Sequence, residues 1–413
     1  MKPLFGLIGK KLAHSYSVPI HHEMGNFAYR LFELPPDELE SFLRQENLGG
    51  VNITIPYKTE VMKFCDTISK EAQEIGSINT IVNKDGKLTG YNTDKYGFEY
   101  MLRHKAISLE NKKVLVLGSG GASKTAVFCS KLAGAKEIVI ISRSGENNYS
   151  NIQKHRDADV IVNTTPVGMF PDNYSSPVSL DSFERLEAVV DLVYNPLKTA
   201  LIIEAEKRNI KTTGGLTMLT AQAKMAEELF FDTFLDDGLI TRITDNLYKK
   251  ASNIVLIGMP GSGKSTVGKI LSLISEKEAF DTDELITQKA GRTPKEIITS
   301  DGESVFRKIE SEVIREVSKE SGKIIITGGG AVTRKDNYIP LHQNGRIYEI
   351  KRDINTLPTD DRPLSKDFDT LLKMQKERQP MYEFFRDAFV LNDSSPQEVA
   401  NKIWSDFNEN TCY

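Results

Sequence analysis

Residues 253–266 read Asn253-Ile254-Val255-Leu256-Ile257-Gly258-Met259-Pro260-Gly261-Ser262-Gly263-Lys264-Ser265-Thr266. An apolar strand pattern runs into a turn with three glycines, and a helical pattern follows. Strand, glycine turn and helix in that order build an anion site, because loop N–H groups and the positive helix end face the same point. The spacing completes the phosphate-loop pattern, with Gly258, Gly261, Ser262, Gly263, Lys264, Ser265 and Thr266 as the predicted nucleotide residues. Lys264 would meet the β- and γ-phosphates, and the Ser265 hydroxyl would bind Mg²⁺. The pattern licenses a nucleoside triphosphate and leaves the phosphoryl acceptor open.

A second glycine turn stands upstream, in Lys112-Lys113-Val114-Leu115-Val116-Leu117-Gly118-Ser119-Gly120-Gly121-Ala122-Ser123. Gly118, Ser119, Gly120, Gly121 and Ala122 would let the backbone approach a pyrophosphate. A third glycine would fall at Ser123, so the dinucleotide fingerprint is incomplete. The next strand pattern ends Ser142-Arg143-Ser144, where an NAD site usually carries an acidic residue. Arg143 between two hydroxyls suits a 2′-phosphate and predicts NADP.

Around these two starts, short apolar runs alternate with helical patterns, which is an α/β chain. Strand candidates are 4–8, 50–55, 114–117, 138–141, 160–163, 189–192, 254–257, 324–327 and 347–350. Residues 217–250 carry apolar positions at helical spacing and run almost directly into the strand at Asn253. A length of 413 residues, at about 150 per domain, predicts three cores. With 39% hydrophobic and 27% charged residues, disordered and fibrous classes are excluded. The net charge of −4, with no basic excess before or after residue 250, argues against nucleic acid as a partner. Cys65, Cys129 and Cys412 are scattered and odd in number, as expected of reduced thiols rather than a metal cluster. No signal-like segment or membrane-length apolar run occurs, so a soluble cytoplasmic chain without a membrane partner is expected.

The first hundred residues hold polar clusters that packing does not require. His14-Ser15-Tyr16-Ser17 offers two hydroxyls on one side if extended. Val51-Asn52-Ile53-Thr54-Ile55-Pro56-Tyr57-Lys58 ends an apolar run in Thr and Lys, and Asn79 and Asn92-Thr93-Asp94 follow. Singly, each has an ordinary reading as a cap, a turn residue or a solvated charge. In this order, with Asn163-Thr164-Thr165-Pro166-Val167-Gly168-Met169, Asp191-Leu192-Val193-Tyr194-Asn195-Pro196 and 214–223, residues 1 to about 250 resemble the shikimate dehydrogenase family. The resemblance implies NADPH-dependent reduction of 3-dehydroshikimate to shikimate. It implies that Ser15 and Ser17 hold the substrate carboxylate, and that Thr54, Asn79, Asp94 and Gln222 bond the ring hydroxyls. Lys58 and Asp94 would form the catalytic pair, Tyr194 would contact substrate and Gly215 the cofactor. The chain departs from the family where Val18 precedes Pro19, where His22 replaces a common Asn, in a short stretch from His22 to Tyr29, and at Ser142.

Downstream of the phosphate loop come Asp281-Thr282-Asp283, Gly302 to Glu310, Thr327-Gly328-Gly329-Gly330-Ala331-Val332, Asp361-Arg362-Pro363-Leu364 and Arg378-Gln379-Pro380-Met381-Tyr382. That ordered set resembles shikimate kinase over residues 253 to about 408. The resemblance implies Asp283 at the reacting hydroxyl, Arg307 and Arg378 on the carboxylate, Gly329 and Gly330 leaving room for substrate, and Asp281 holding Mg²⁺ through water. Arg362 would swing in with a lid. Ordinary alternatives are Arg307 as an i,i+3 partner of Glu310 and Asp281 as a cap. The lid stretch 351–362 is short and a further lid arginine has no match. Pro396 either closes a loop over adenine or opens a helix.

The combined expectation is a bifunctional enzyme using NADP(H), ATP and Mg²⁺. A discontinuous substrate lobe (1–102 and 217–250) would carry a Rossmann-like NADP lobe (103–216). A P-loop kinase domain (251–413) with a parallel sheet and helices on both faces would follow. Competing readings are a quinate-preferring dehydrogenase joined to another small-molecule kinase, or one half reduced to a binding module. Monomer and homodimer stay open.

Overall fold

The computed structural model describes residues 2–12, 15–357 and 368–411. Three sheets organise them. The first is mixed, with strands β1 (Leu4–Gly9), β2 (Tyr29–Glu33), β3 (Leu48–Ile53), β4 (Thr67–Ile68), β5 (Thr80–Lys84) and β6 (Lys87–Tyr91) in the order β2-β1-β3-β5-β6-β4. Helices α1 (Ser17–Glu23), α2 (Leu39–Leu43) and α3 (Lys70–Ile75) connect them. Local chemistry sets their ends. Ser69 caps α3 by accepting from Ala72 N, and Gly76 at φ 71° stops it. Ile8, Val51, Ile53, Ile78 and Ile81 fill the core.

Helix α4 (Asp94–His104) leads to the second sheet, with β7 (Lys113–Leu117), β8 (Glu137–Ile141), β9 (Val160–Asn163), β10 (Ala188–Asp191) and β11 (Lys211–Thr213). Its order is β11-β10-β9-β7-β8 and every pairing is parallel. Strand order reverses beside β7, so the turn at Gly118 lies at the switch point where open α/β sheets bind ligands. Helices α5 (Gly121–Leu132), α6 (Ala200–Lys207), α7 (Gly215–Phe231) and α8 (Gly238–Ala251) follow the strands. The predicted helical stretch 217–250 is thus two helices. Asp232 at φ 50° ends α7 in a left-handed cap.

The third sheet has β12 (Asn253–Ile257), β13 (Ala279–Asp281), β14 (Ile324–Ile326), β15 (Gly345–Lys351) and β16 (Ala388–Leu391), all parallel, in the order β13-β14-β12-β15-β16. Helices α9 (Lys264–Ser275), α10 (Thr282–Ala290), α11 (Pro294–Asp301), α12 (Glu303–Val317), α13 (Tyr338–Gln343), α14 (Phe368–Phe385) and α15 (Pro396–Asn410) accompany it. The chain divides into two compact units: Met1–Met169, Ser175–Asn195 and Glu204–Thr244, then Phe170–Tyr174, Pro196–Ile203 and Asp245–Tyr413. In the second unit Lys198 N donates to Gln343 O at 2.9 Å, and Leu197 N to Asn344 Oδ1 at 3.0 Å.

Several expectations shift. The strand expected over 50–55 spans Leu48–Ile53, because Pro56 lacks an N–H and pushes Ile55 out of the ladder. Strands β2, β4, β5, β6, β11, β13 and β16, short or partly polar, were not among the candidates. Pro396 is the first residue of α15 behind the Ser395–Glu398 capping box, which settles it as a helix-opening proline. Cys65 and Cys129 are free thiols that burial pushes up to about 11 and about 12, while Cys412 lies outside the described residues. Among the described residues no helix is long and apolar enough to cross a membrane.

Gly215 has a packing role. A Cβ there would lie 2.2 Å from Leu192 O, where α7 enters against the chain leaving β10. Gly215→Ala is expected to cost about 1–3 kcal/mol, read as a lower urea midpoint for the purified chain.

Candidate active sites

In the first unit, Lys58 leaves the turn after β3 and its Nζ stands 2.6 Å from Asp94 Oδ2. The two side chains are 16% and 4% exposed, so the pair is shielded but reachable. Asp94 occupies the first turn of α4, favourable for a carboxylate. Asn79 braces it: Nδ2 donates to Asp94 Oδ1 at 2.9 Å, Gln222 Oε1 at 3.2 Å and Thr93 Oγ1 at 3.0 Å. Asn79 Oδ1 accepts from Thr93 N at 2.7 Å. Gln222 comes from α7, 143 residues along the chain. Thr54 lies half-buried four residues before Lys58.

The serine pair arrives differently from the expectation. Tyr16 has φ −83° and ψ 0°, so the chain turns rather than extends, and Ser17 opens α1. The hydroxyls still converge, with Ser15 Oγ donating to Ser17 Oγ at 3.1 Å. Between them Tyr16 leans on Tyr194, ring centroids 5.6 Å apart. Burial pushes the Tyr194 phenol up to about 12.

The glycine turn meets this cluster. Gly118 has φ 110°, and a Cβ there would lie 2.7 Å from Thr164 Oγ1, so only glycine fits. Gly120 leads into α5 with open space where a Cβ would stand, and a Cβ on Gly121 would lie 3.5 Å from Lys58 Cδ. The start of α5 therefore faces the Lys58 side chain. Ser119 is exposed and Ala122 half-buried on the same turn, while exposed Arg143 follows β8 between Ser142 and Ser144. This open turn and solvent-facing guanidinium fit a phosphorylated dinucleotide.

In the second unit a cavity of about 520 Å³ is lined by Gly261, Lys264, Ser265, Asp281, Asp283, Arg307, Gly329, Gly330 and Arg378, among others. Gly258 and Gly263 keep positive φ beneath it, and Asn392 Nδ2 pins the loop through Ser262 O at 2.7 Å. Thr266 is exposed on α9. Lys264 Nζ turns back on its own loop, donating to Gly258 O at 2.9 Å and Met259 O at 3.0 Å. Ser265 Oγ donates to Asp281 Oδ2 at 2.9 Å, while Asp281 Oδ1 caps α10 by accepting from Asp283 N at 3.0 Å. A hydroxyl beside a carboxylate is a hard-oxygen pair that fits Mg²⁺ with several retained waters. Among the described residues no group of three His, Cys, Asp or Glu forms a closed metal cage.

Arg307 also takes the ordinary partner foreseen for it. Its Nη1 donates to Glu310 Oε2 at 2.7 Å and its Nη2 to Glu303 Oε1 at 2.9 Å. Arg378 Nη1 donates to Gly329 O at 3.0 Å. Asp283 is exposed where it lines the cavity. Desolvation by the protein around it, then the charge of Asp281, raises its carboxyl pKa against Lys264 and Arg307. Burial likewise raises Glu310. Arg362 lies outside the described residues.

The model of the shikimate dehydrogenase substrate binding domain matches residues 7–81. The NADP(+) shikimate dehydrogenase of Clostridium beijerinckii is 37% identical over 269 residues, covering 60% of this chain and 98% of its own. The chain belongs to the shikimate dehydrogenase family. Its C-terminal part is a shikimate kinase domain, whose family model matches residues 260–408. Together they make a bifunctional shikimate-pathway enzyme. The first part is similar in structure to a chorismate mutase/shikimate 5-dehydrogenase fusion protein from Clostridium acetobutylicum, at TM-score 0.58 and 35% identity, over 60% of this chain and 98% of that one. It is also similar to the Thermus thermophilus shikimate 5-dehydrogenase in complex with NADP(H) and shikimate, at TM-score 0.54 and 31% identity, over 59% and 98%.

The sequence reading left out Thr93, Thr80 and Asn52 around Asn79, and Pro260, Phe306, Thr327 and Met374 on the kinase cavity wall. Asn52, a polar residue within an apolar strand, was the one visible signal. In the kinase domain Gly330 presses on the carboxylate-binding candidate, since a Cβ there would lie 2.0 Å from Arg307 Nη2. Gly330→Ala is expected to displace that guanidinium and raise the kinase KM for its acceptor about tenfold, with dehydrogenase kinetics unchanged in the same preparation.

Proposed function

We propose that the first site reduces the carbonyl of 3-dehydroshikimate to the alcohol of shikimate, and that the second phosphorylates the 3-hydroxyl of shikimate with ATP. One observation carries the reading: the Lys58–Asp94 pair, braced by Asn79 and Gln222, lies against the turn that opens α5. NADPH supplies the hydride when bound at that turn, with Arg143 and its flanking serines taking the 2′-phosphate. Attack at the carbonyl carbon leaves negative charge on oxygen. The Lys58 ammonium faces that oxygen, stabilises it and passes it a proton, while Asp94 holds the ammonium and accepts from a ring hydroxyl. Thr54, Asn79, Gln222 and Tyr194 orient the ring, and Ser15 and Ser17 hold the carboxylate.

In the kinase domain Asp283 takes the proton of the attacking hydroxyl, and Arg307 and Arg378 fork the substrate carboxylate. Gly329 and Gly330 keep the wall low beside them. Lys264 exchanges two loop carbonyls for phosphate oxygens. Ser265 and Asp281 would hold Mg²⁺, which supplies charge neutralisation at the phosphates. Arg362 is assigned as the lid cation. We place the three cores at the boundaries read from the sequence and the enzyme in the cytoplasm. Its partners are small molecules rather than nucleic acid or membrane.

A coupled assay tests this. With 3-dehydroshikimate, NADPH, ATP and Mg²⁺ the chain should form shikimate 3-phosphate. Lys58→Ala should slow only the first step, by about 10²–10⁴, and Lys264→Ala only the second. Loss of the opposite step in either variant would overturn the assignment.

The Asp283 carboxyl also sets a pH dependence. It must be ionised to act as base, and its pKa is raised, so kinase kcat/KM should fall as pH drops, at a higher pH than an ordinary aspartate would set. A pH–rate profile of the kinase step reads it.

A further inference from the structure

Helix α1 has seven residues and no side-chain cap bond, so it is too short to hold its place alone. Tertiary contacts must set it. His21 lies one turn on from Ser17 and, with Ser17 and Ile20, forms the buried face of α1. His21 is 1% exposed, and its Nδ1 bonds Glu227 Oε1 on α7, itself 2% exposed. Asn26, just past α1, donates to the same oxygen from Nδ2 at 2.9 Å. Burial lowers the His21 pKa against the pull of Glu227. The neutral ring therefore donates from Nδ1, and Glu227 accepts from two donors that both belong to the α1 segment.

The same imidazole stacks on Tyr29, ring centroids 3.6 Å apart and 7° from parallel. Tyr29 OH donates to Asn52 Oδ1 at 2.7 Å, and Asn52 Nδ2 to Thr80 Oγ1 at 3.0 Å. Thr80 Oγ1 donates to Asn79 Oδ1 at 3.2 Å, which reaches the brace of Asp94. Glu227 stands five residues beyond Gln222 on α7, about 7.5 Å along the axis. One helix thus carries a ring-hydroxyl contact and the anchor for the segment bearing Ser15 and Ser17.

We propose that His21 and Glu227 are the positioning pair that sets the Ser15–Ser17 hydroxyls at a fixed distance from Gln222 and Asp94, and so tunes affinity for the substrate carboxylate. The inference rests on the reading of Ser15 and Ser17 as the carboxylate clamp. Replacing His21 by an apolar residue leaves the buried Glu227 carboxylate one donor short, and α1 must move to rehydrate it.

The experiment uses the full chain, with its kinase rate as the count of folded molecules, and assays shikimate oxidation with NADP⁺. His21→Leu is expected to raise KM for shikimate about tenfold, with kcat and KM for NADP⁺ changed less than about threefold. His21→Asn, whose Nδ2 replaces the ring Nδ1, is expected to restore KM to within about threefold. For the analogue with a hydroxymethyl group in place of the carboxylate, the His21→Leu effect on kcat/KM should shrink below about threefold. Should His21→Leu not fold, Glu227→Gln carries the test, with a KM rise of about threefold and the same dependence on the carboxylate. An unchanged KM, a loss confined to kcat, an equal effect on the hydroxymethyl analogue, or no rescue by Asn would overturn the proposal. Ser17→Ala separates the two layers. If it leaves KM unchanged, the clamp reading fails and this inference with it; if it raises KM while His21→Leu does not, only this inference fails.

Discussion

Helix α7 carries two charges into the interior of the first unit, Lys224 and Glu227, and neither can be buried there unpaired. Lys224 Nζ meets Glu228 Oε1 at 2.8 Å and Asp237 Oδ1 at 2.9 Å, and Asp237 also accepts from Tyr96 OH at 2.7 Å. Tyr96 lies on α4 two residues after Asp94. Glu227 takes its donors from His21 and Asn26. The need to satisfy these two groups fixes α7 against α4 on one side and α1 on the other. Gln222 lies just before both on the same helix. The substrate-side residues therefore come from sequence positions far apart yet share one reference element.

The kinase cavity obeys the same rule in a form made to be undone. Each cation proposed to meet a ligand already has a protein partner: Lys264 on two loop carbonyls, Arg307 on Glu303 and Glu310, Arg378 on Gly329 O. On the proposed roles, phosphate or carboxylate would displace these bonds, so binding would be an exchange with a net gain smaller than the number of new bonds. Glu310 keeps the Arg307 fork in one orientation. The cost is a second acidic group near Asp283, whose charge is among the causes that raise the Glu310 pKa.

Much of this was legible in the residues. Both glycine turns announced a strand, a loop and a helix, because few other arrangements need such residues in that order. The departures followed from neighbours. Ser15 and Ser17 were expected to align on an extended segment, yet they converge through a turn into α1. The helical spacing over 217–250 did not show where one helix ends, and Asp232 divides it into two. Asp281 and Arg307 hold the ordinary partners foreseen for them, Asp283 N and Glu310, and both also line the kinase cavity, since a carboxylate has two oxygens and a guanidinium five donors. His21 and Glu227 gave no sign of each other across 206 residues.

The sequence by itself determined the α/β class, the two glycine turns, the dehydrogenase and kinase resemblances and the candidate polar residues. These follow from local constraints: backbone reach at glycine, helix and strand period, and the fixed order of motif residues. Tertiary structure alone decided which of those residues meet. Only folding brings Gln222 to Asn79, Lys58 to Asp94 and Gly121, and Gly330 to Arg307. Such contacts depend on how separate elements satisfy one another's buried charges and carbonyls, and no local pattern in the chain records that.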